Sequence, residues 1–175
     1  MGIGRPSRAY SLDREGTNMM LKNWKTYAFW IALSEAVGLL AGLLTRSGTE
    51  IYAQTVIKPP LSPPAILFPI VWTILYALMG ISAARIRLAP SSKEQQRATN
   101  LFVAQLVVNF FWPLFFFNLQ AFGLAFIWLI LLWVLVLLLI FASYKVDPVA
   151  AWLLVPYLIW LTFAAYLNAG AFLLN

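Results

Sequence analysis

Residues Phe122 to Tyr144 read FGLAFIWLILLWVLVLLLIFASY, a run without one charged side chain. At about 1.5 Å of rise per residue such a run, wound as a helix, exceeds the roughly 30 Å hydrocarbon core of a bilayer. It lacks the two-residue alternation of a barrel strand, and an open strand in lipid would leave its backbone groups unpaired, so helix is the remaining option. Working outward, comparable apolar runs occupy Val149–Leu174, Leu101–Phe117, Ala65–Ala84 and Tyr27–Thr45. The reading is an all-α membrane protein, a bundle of five transmembrane helices over 26–175, preceded by a disordered basic tail over 1–25. Short links at 118–121 and 145–148 force antiparallel hairpins. The stretch 46–64, with Pro59, Pro60, Pro63 and Pro64, is expected to be a long loop and the first place to look for function.

The composition agrees, because 62% of the 175 residues are hydrophobic and 10% charged, against about 25% charged in a soluble domain. A net charge of +6 is compatible with a nucleic-acid partner, yet the basic residues fall outside the apolar runs. Arg5, Arg8, Arg14, Lys22, Lys25, Arg85, Arg87, Lys93, Arg97 and Lys145 map to one side, and Arg46 and Lys58 to the other. The positive-inside rule explains that bias without nucleic acid. In a bacterial cell membrane it places the amino terminus in the cytoplasm, and the carboxyl terminus and the 46–64 loop outside.

The sequence contains neither cysteine nor histidine. Thiolate chemistry, zinc sites, histidine-ligated haem and every Ser-His-Asp or Cys-His catalytic arrangement are thereby removed. No metal site and no covalently held cofactor is expected. Glu35, in the middle of the first run, has no second inward acid for acid–base work, so it is expected to be neutral or turned to a polar interior.

Helical spacing aligns the polar and aromatic residues of these runs. Gln105, Asn109, Trp112 and Phe116 share one stripe; Tyr157, Trp160, Ala164 and Asn168 share another; Trp72, Tyr76 and Met79 a third. Amides facing lipid are unfavourable, so these stripes should point inward. Packing between helices by amide hydrogen bonds is the plain explanation of each residue; an aromatic interior with sparse polar anchors is also what an apolar ligand pocket needs. Pro69, Pro113 and Pro156 are expected to kink their helices, and Gly38 and Gly42 to admit a close neighbour.

The blocks Tyr52-Ala-Gln-Thr-Val-Ile-Lys58-Pro59-Pro60-Leu61-Ser62-Pro63-Pro64, Val71-Trp72-Thr73-Ile-Leu75-Tyr76, Gln105-Leu-Val-Val-Asn109-Phe-Phe-Trp112-Pro113 and Leu154-Val-Pro156-Tyr157-Leu-Ile-Trp160, continuing to Asn168, carry a resemblance. In order and spacing they are similar to the signature of the translocator protein, or tryptophan-rich sensory protein, family. The resemblance implies a sensor or carrier that takes a porphyrin, protoporphyrin IX or haem, or a sterol-like lipophile into a pocket beneath the first loop, and a homodimer. It implies ligand contacts from Tyr52, Lys58, Pro63, Pro64, Trp72, Tyr76, Gln105, Asn109, Trp112, Tyr157, Trp160, Ala164, Leu167 and Asn168.

Two departures shape the alternatives. The Trp-Tyr pair and second Trp of the family's loop correspond to Tyr52-Ala53 and Leu61 here, and the Tyr and basic residue of the animal cholesterol pattern correspond to Ala169 and Leu173. Light-dependent porphyrin breakdown, which the resemblance would assign to Trp160 and neighbouring aromatics, is therefore the second reading. A scaffold without its own ligand is the third.

Overall fold

The computed structural model describes the backbone over residues 8–175 and side chains over 23–175. Among these residues every regular element is helical: α1 (Arg8–Leu44), α2 (Arg46–Thr55), α3 (Leu67–Leu88), α4 (Lys93–Pro113, prolonged by a π-helical turn at Leu114–Asn118), α5 (Phe122–Tyr144) and α6 (Pro148–Leu174). Five helical stretches among the described residues are long and apolar enough to cross a membrane: Asn23–Leu44, Leu67–Leu88, Lys93–Asn118, Phe122–Tyr144 and Pro148–Leu174. The chain is an integral, multi-pass membrane protein.

The five spans form a closed ring in which α1 packs along α3, α3 on α6, α6 on α5, α5 on α4, and α4 returns to α1. Because apolar side chains gain little by leaving lipid for one another, close backbone approach matters more than hydrophobicity in such a ring. Gly80 of α3 supplies it, since a Cβ there would run into the backbone of α1 at Trp30 and Ile31. Gly38 of α1 lies under the Tyr76 ring, whereas Gly42 has open space around it. Of the expected glycine pair, then, only Gly38 marks a close contact within the chain.

Several boundaries differ from the sequence reading. The helix of the first span is carried back to Arg8, through much of the stretch expected to be a disordered tail; residues 1–7 of that tail lie outside the described residues. α4 begins at Lys93, ahead of its apolar run, because the Ser92 hydroxyl accepts the Gln95 amide at 3.0 Å and caps it. The first half of the expected loop is helix α2, whose Gly48 and Tyr52, four apart, face inward. Pro69 lies in the first turn of α3, where the amide has no intrahelical partner, so it breaks no hydrogen bond. Pro113 behaves differently. It cannot donate to the Asn109 carbonyl, and beyond it the ladder widens, with Leu119 bonding Leu114 at 3.1 Å.

At the basic end, the Asp147 carboxylate accepts the Val149 and Ala150 amides at 2.8 and 3.3 Å, capping α6 behind Pro148. Its other oxygen lies 2.8 Å from Arg85 Nε, joining α3 to α6. One turn further in, the Ser82 hydroxyl donates to the Ala150 carbonyl at 2.8 Å.

Candidate functional site

The polar side chains of the inward stripes meet in two hydrogen-bonded groups. The Tyr76 hydroxyl donates to Asn109 Oδ1, and Asn109 Nδ2 donates to the Tyr157 hydroxyl at 2.6 Å. That hydroxyl in turn donates to Gln105 Oε1 at 3.2 Å, while Gln105 Nε2 faces the Met79 sulfur at 3.8 Å. α3, α4 and α6 are thus tied by side chains that are all buried. Closer to the α2 end, Trp112 Nε1 donates to Asn168 Oδ1 at 3.2 Å, and Asn168 Nδ2 donates to the Phe122 carbonyl at 2.8 Å. An amide left unpaired here would cost roughly 1–3 kcal/mol, whereas each bond between membrane helices contributes only about 0.6 kcal/mol on average. The network therefore acts mainly by fixing how the helices meet.

Aromatic rings extend from this network in two directions. Trp72 packs against Tyr76 and Tyr157, with centroids 5.5 and 6.1 Å apart. Trp112 stacks on Phe116 at 5.1 Å, and Tyr52 of α2 covers the same cluster through Phe116, Phe117 and Phe122 at 5.2, 5.4 and 6.3 Å. Burial there pushes the Tyr52 phenol above its ordinary value of 10. Lys58 is exposed, donates to the Ala53 carbonyl at 3.4 Å and lies 6.0 Å from the Tyr52 ring centroid.

Trp160 lies elsewhere. Its ring partners are Phe68 at 5.9 Å and Phe163 at 5.7 Å. It lines a groove of about 530 Å³ between α3 and α6 with Val71, Ile74, Leu78, Ile159 and Phe163. From Trp160 a ladder of rings runs along α6 through Phe163 to Tyr166, whose hydroxyl donates to the Pro60 carbonyl at 2.8 Å. Pro59 is buried against Gly170. The two ends of the 46–64 segment thus cover different clusters: Tyr52 the rings around Trp112, and Pro59–Pro60 the ladder above Trp160. Pro63 is half-buried and Pro64 exposed, while Ala164 and Leu167 are buried in the wall of α6.

Sequence reasoning missed most of the groove. Val71, Ile74, Leu78, Ile159 and Phe163 recur at helical spacing, but in spans apolar on every side periodicity carries no contrast. Nor does the pattern mark Trp133, which is half-buried against the core and whose Nε1 donates to the Thr162 hydroxyl at 2.9 Å, because an indole N–H in hydrocarbon needs an acceptor.

Residues 30–174 match the model of the TspO/MBR family. The chain is 37% identical over 157 residues to the "Tryptophan-rich protein TspO" of Chlorobaculum tepidum, covering 89% of this chain and 99% of the relative. It is 31% identical over 156 residues to the "Tryptophan-rich sensory protein" of Cereibacter sphaeroides, covering 89% and 95%. To the "Translocator protein" of Bos taurus it is 33% identical over 151 residues, covering 85% and 89%. With a family model spanning most of the chain and relatives matched over nearly their whole length, this protein belongs to the TspO/MBR family.

Proposed function

We propose that the chain is a membrane sensor or carrier for flat lipophilic ligands of the tetrapyrrole class, held against the aromatic side chains on the α2 side of the bundle. The observation that carries this reading is the apolar groove at Trp160. Its volume of about 530 Å³ lies within the roughly 300–1,000 Å³ of small-molecule sites. A planar ring system suits it, because the groove offers ring faces and methyl groups and its lining side chains are apolar. The saturated amide network favours a packing role for Gln105, Asn109 and Asn168, so in this proposal those residues shape the site and the rings hold the ligand.

Light-dependent breakdown is the weaker reading, since the loop carries Tyr52 and Leu61 in place of the family's indoles. Titrating the purified protein with protoporphyrin IX separates the alternatives. Saturable, reversible quenching of tryptophan fluorescence in darkness and in light supports a binding protein. Irreversible product formed only in light supports the degradative reading, and no saturable response supports a scaffold. The proposal also sets the Arg85–Arg97 end in the cytoplasm, on the excess of basic residues there. A reporter fused after Asn175 should then be active outside, and one inserted at Arg87–Arg97 inside.

A further inference from the structure

At the basic end of the bundle, where α4 begins and α5 ends, a niche of about 190 Å³ is lined by Lys93, Glu94, Arg97, Leu138, Phe141, Ala142 and Lys145. Its side chains divide by height. Lys93 and Arg97 stand one turn apart on α4, and Lys145 is the first residue past α5, so three cations sit where the apolar span stops. Glu94 is the opposing charge. Among the described residues the ion pairs are Arg46–Glu50 and Arg85–Asp147, and neither engages these three cations. Beneath Lys145, on the same face of α5, follow Phe141, 62% exposed, and Leu138, 41% exposed. At about 1.5 Å per residue, Leu138 lies roughly 10 Å deeper in the membrane than Lys145.

We infer that this niche is a binding site for an anionic phospholipid, with the phosphate between Lys93, Arg97 and Lys145 and one acyl chain laid along Phe141 and Leu138. The charge selects an anion. The vertical order of cations above an exposed apolar wall selects a molecule with both parts, which an amphiphile in the adjoining leaflet has and a soluble phosphate lacks. Glu94 repels a doubly charged headgroup more than a singly charged one, so phosphatidylglycerol is the class it fits. Surface charge alone would concentrate anionic lipid only diffusely; the recess between two packed helices gives it a defined seat. The site lies at the opposite end of the bundle from Tyr52 and is independent of the proposed ligand groove.

The test uses the full chain, purified and delipidated in neutral detergent, and counts bound lipid by native mass spectrometry. Phosphatidylglycerol should bind about tenfold or more tightly than phosphatidylcholine of the same chain length, as expected for several basic residues acting on one headgroup. The variant Lys93→Gln/Arg97→Gln/Lys145→Gln should bind both alike, and Phe141→Ala should weaken both. For the unmodified protein, raising the salt concentration should shrink the preference, a readout that does not depend on the triple variant folding. Equal binding of the two lipids by the unmodified protein would overturn the inference. So would a preference that survives in the triple variant or is insensitive to salt. Displacement of the lipid by millimolar inorganic phosphate, with Phe141→Ala binding as before, would show an anion site without a lipid seat and overturn it too.

Discussion

The Asn175 side chain pairs with both backbone polar groups of Ile57: the Ile57 amide donates to Asn175 Oδ1 at 3.0 Å, and Asn175 Nδ2 donates to the Ile57 carbonyl at 3.1 Å. One amide thereby imitates a strand partner and anchors the segment between α2 and α3 to the end of α6. With the Tyr166–Pro60 hydrogen bond and the Pro59–Gly170 contact, it holds the segment over the ring ladder. Asn175→Ala should speed hydrogen exchange at the Ile57 amide by roughly threefold to tenfold, the equivalent of about 0.5–1.5 kcal/mol per hydrogen bond. Unchanged exchange would mean that the loop is held by Tyr166 and Pro59 alone.

Glycine substitutions distinguish close packing from mere sequence pattern. Gly80→Ala puts a methyl group into the backbone of α1, which cannot swing aside like a side chain, and should destabilise the bundle by about 1–3 kcal/mol. Gly42→Ala meets nothing within 4 Å and should be neutral or stabilising by up to about 1 kcal/mol through helix propensity. Resistance to denaturation in detergent is the measurement. A large loss at Gly42 would show that a second copy of the chain, or a lipid, packs there.

For the proposed ligand site, Trp160→Ala should weaken protoporphyrin IX binding by roughly 1–3 kcal/mol, the scale of stacking on an aromatic side chain. Trp152, 66% exposed on the same helix, is the control and should change binding little. Trp133 does not serve as one, since losing its bond to Thr162 would disturb the α5–α6 contact. Fluorescence titrations of the two variants decide the matter, and equal losses would assign the effect to general packing.

Asp147 makes stability depend on acid. Burial raises the affinity of its carboxyl for a proton, but the Arg85 hydrogen bond and the Ala150 and Val149 amides outweigh it and hold the group below its ordinary value of 3.8. A depressed folded value means the unfolded chain takes up the proton first. The stabilisation is therefore complete above that ordinary range and is lost as pH falls through and below it. Asp147→Asn should flatten the acid limb of a stability–pH profile, and Asp147→Ala should also cost about 1 kcal/mol at neutral pH by removing the α6 cap. An acid limb unchanged in Asp147→Asn would assign the acid sensitivity to other carboxylates.

Five spans, an all-helical fold and an inward turn of Gln105, Asn109 and Asn168 were legible in the sequence. The bilayer imposes them directly: length and apolarity decide what crosses, and an amide has one tolerable direction. Family membership was legible for a related reason, since its blocks combine residues such as Pro113, Asn109 and Trp112 whose backbone or polar demands tie them to fixed spacings. What the sequence left open was every matter of partner choice among apolar surfaces. Nothing in the runs distinguishes the face of α6 that lines the groove at Ile159 and Phe163 from the face that meets α5, because both are hydrocarbon. The lodging of Trp133 against Thr162, the idle Gly42 beside the tightly packed Gly80, and the division of the 46–64 segment between Trp112 and Trp160 follow from how the ring of helices closes. Close packing and pairing of the few polar groups set that closure, and both are properties of the assembled bundle.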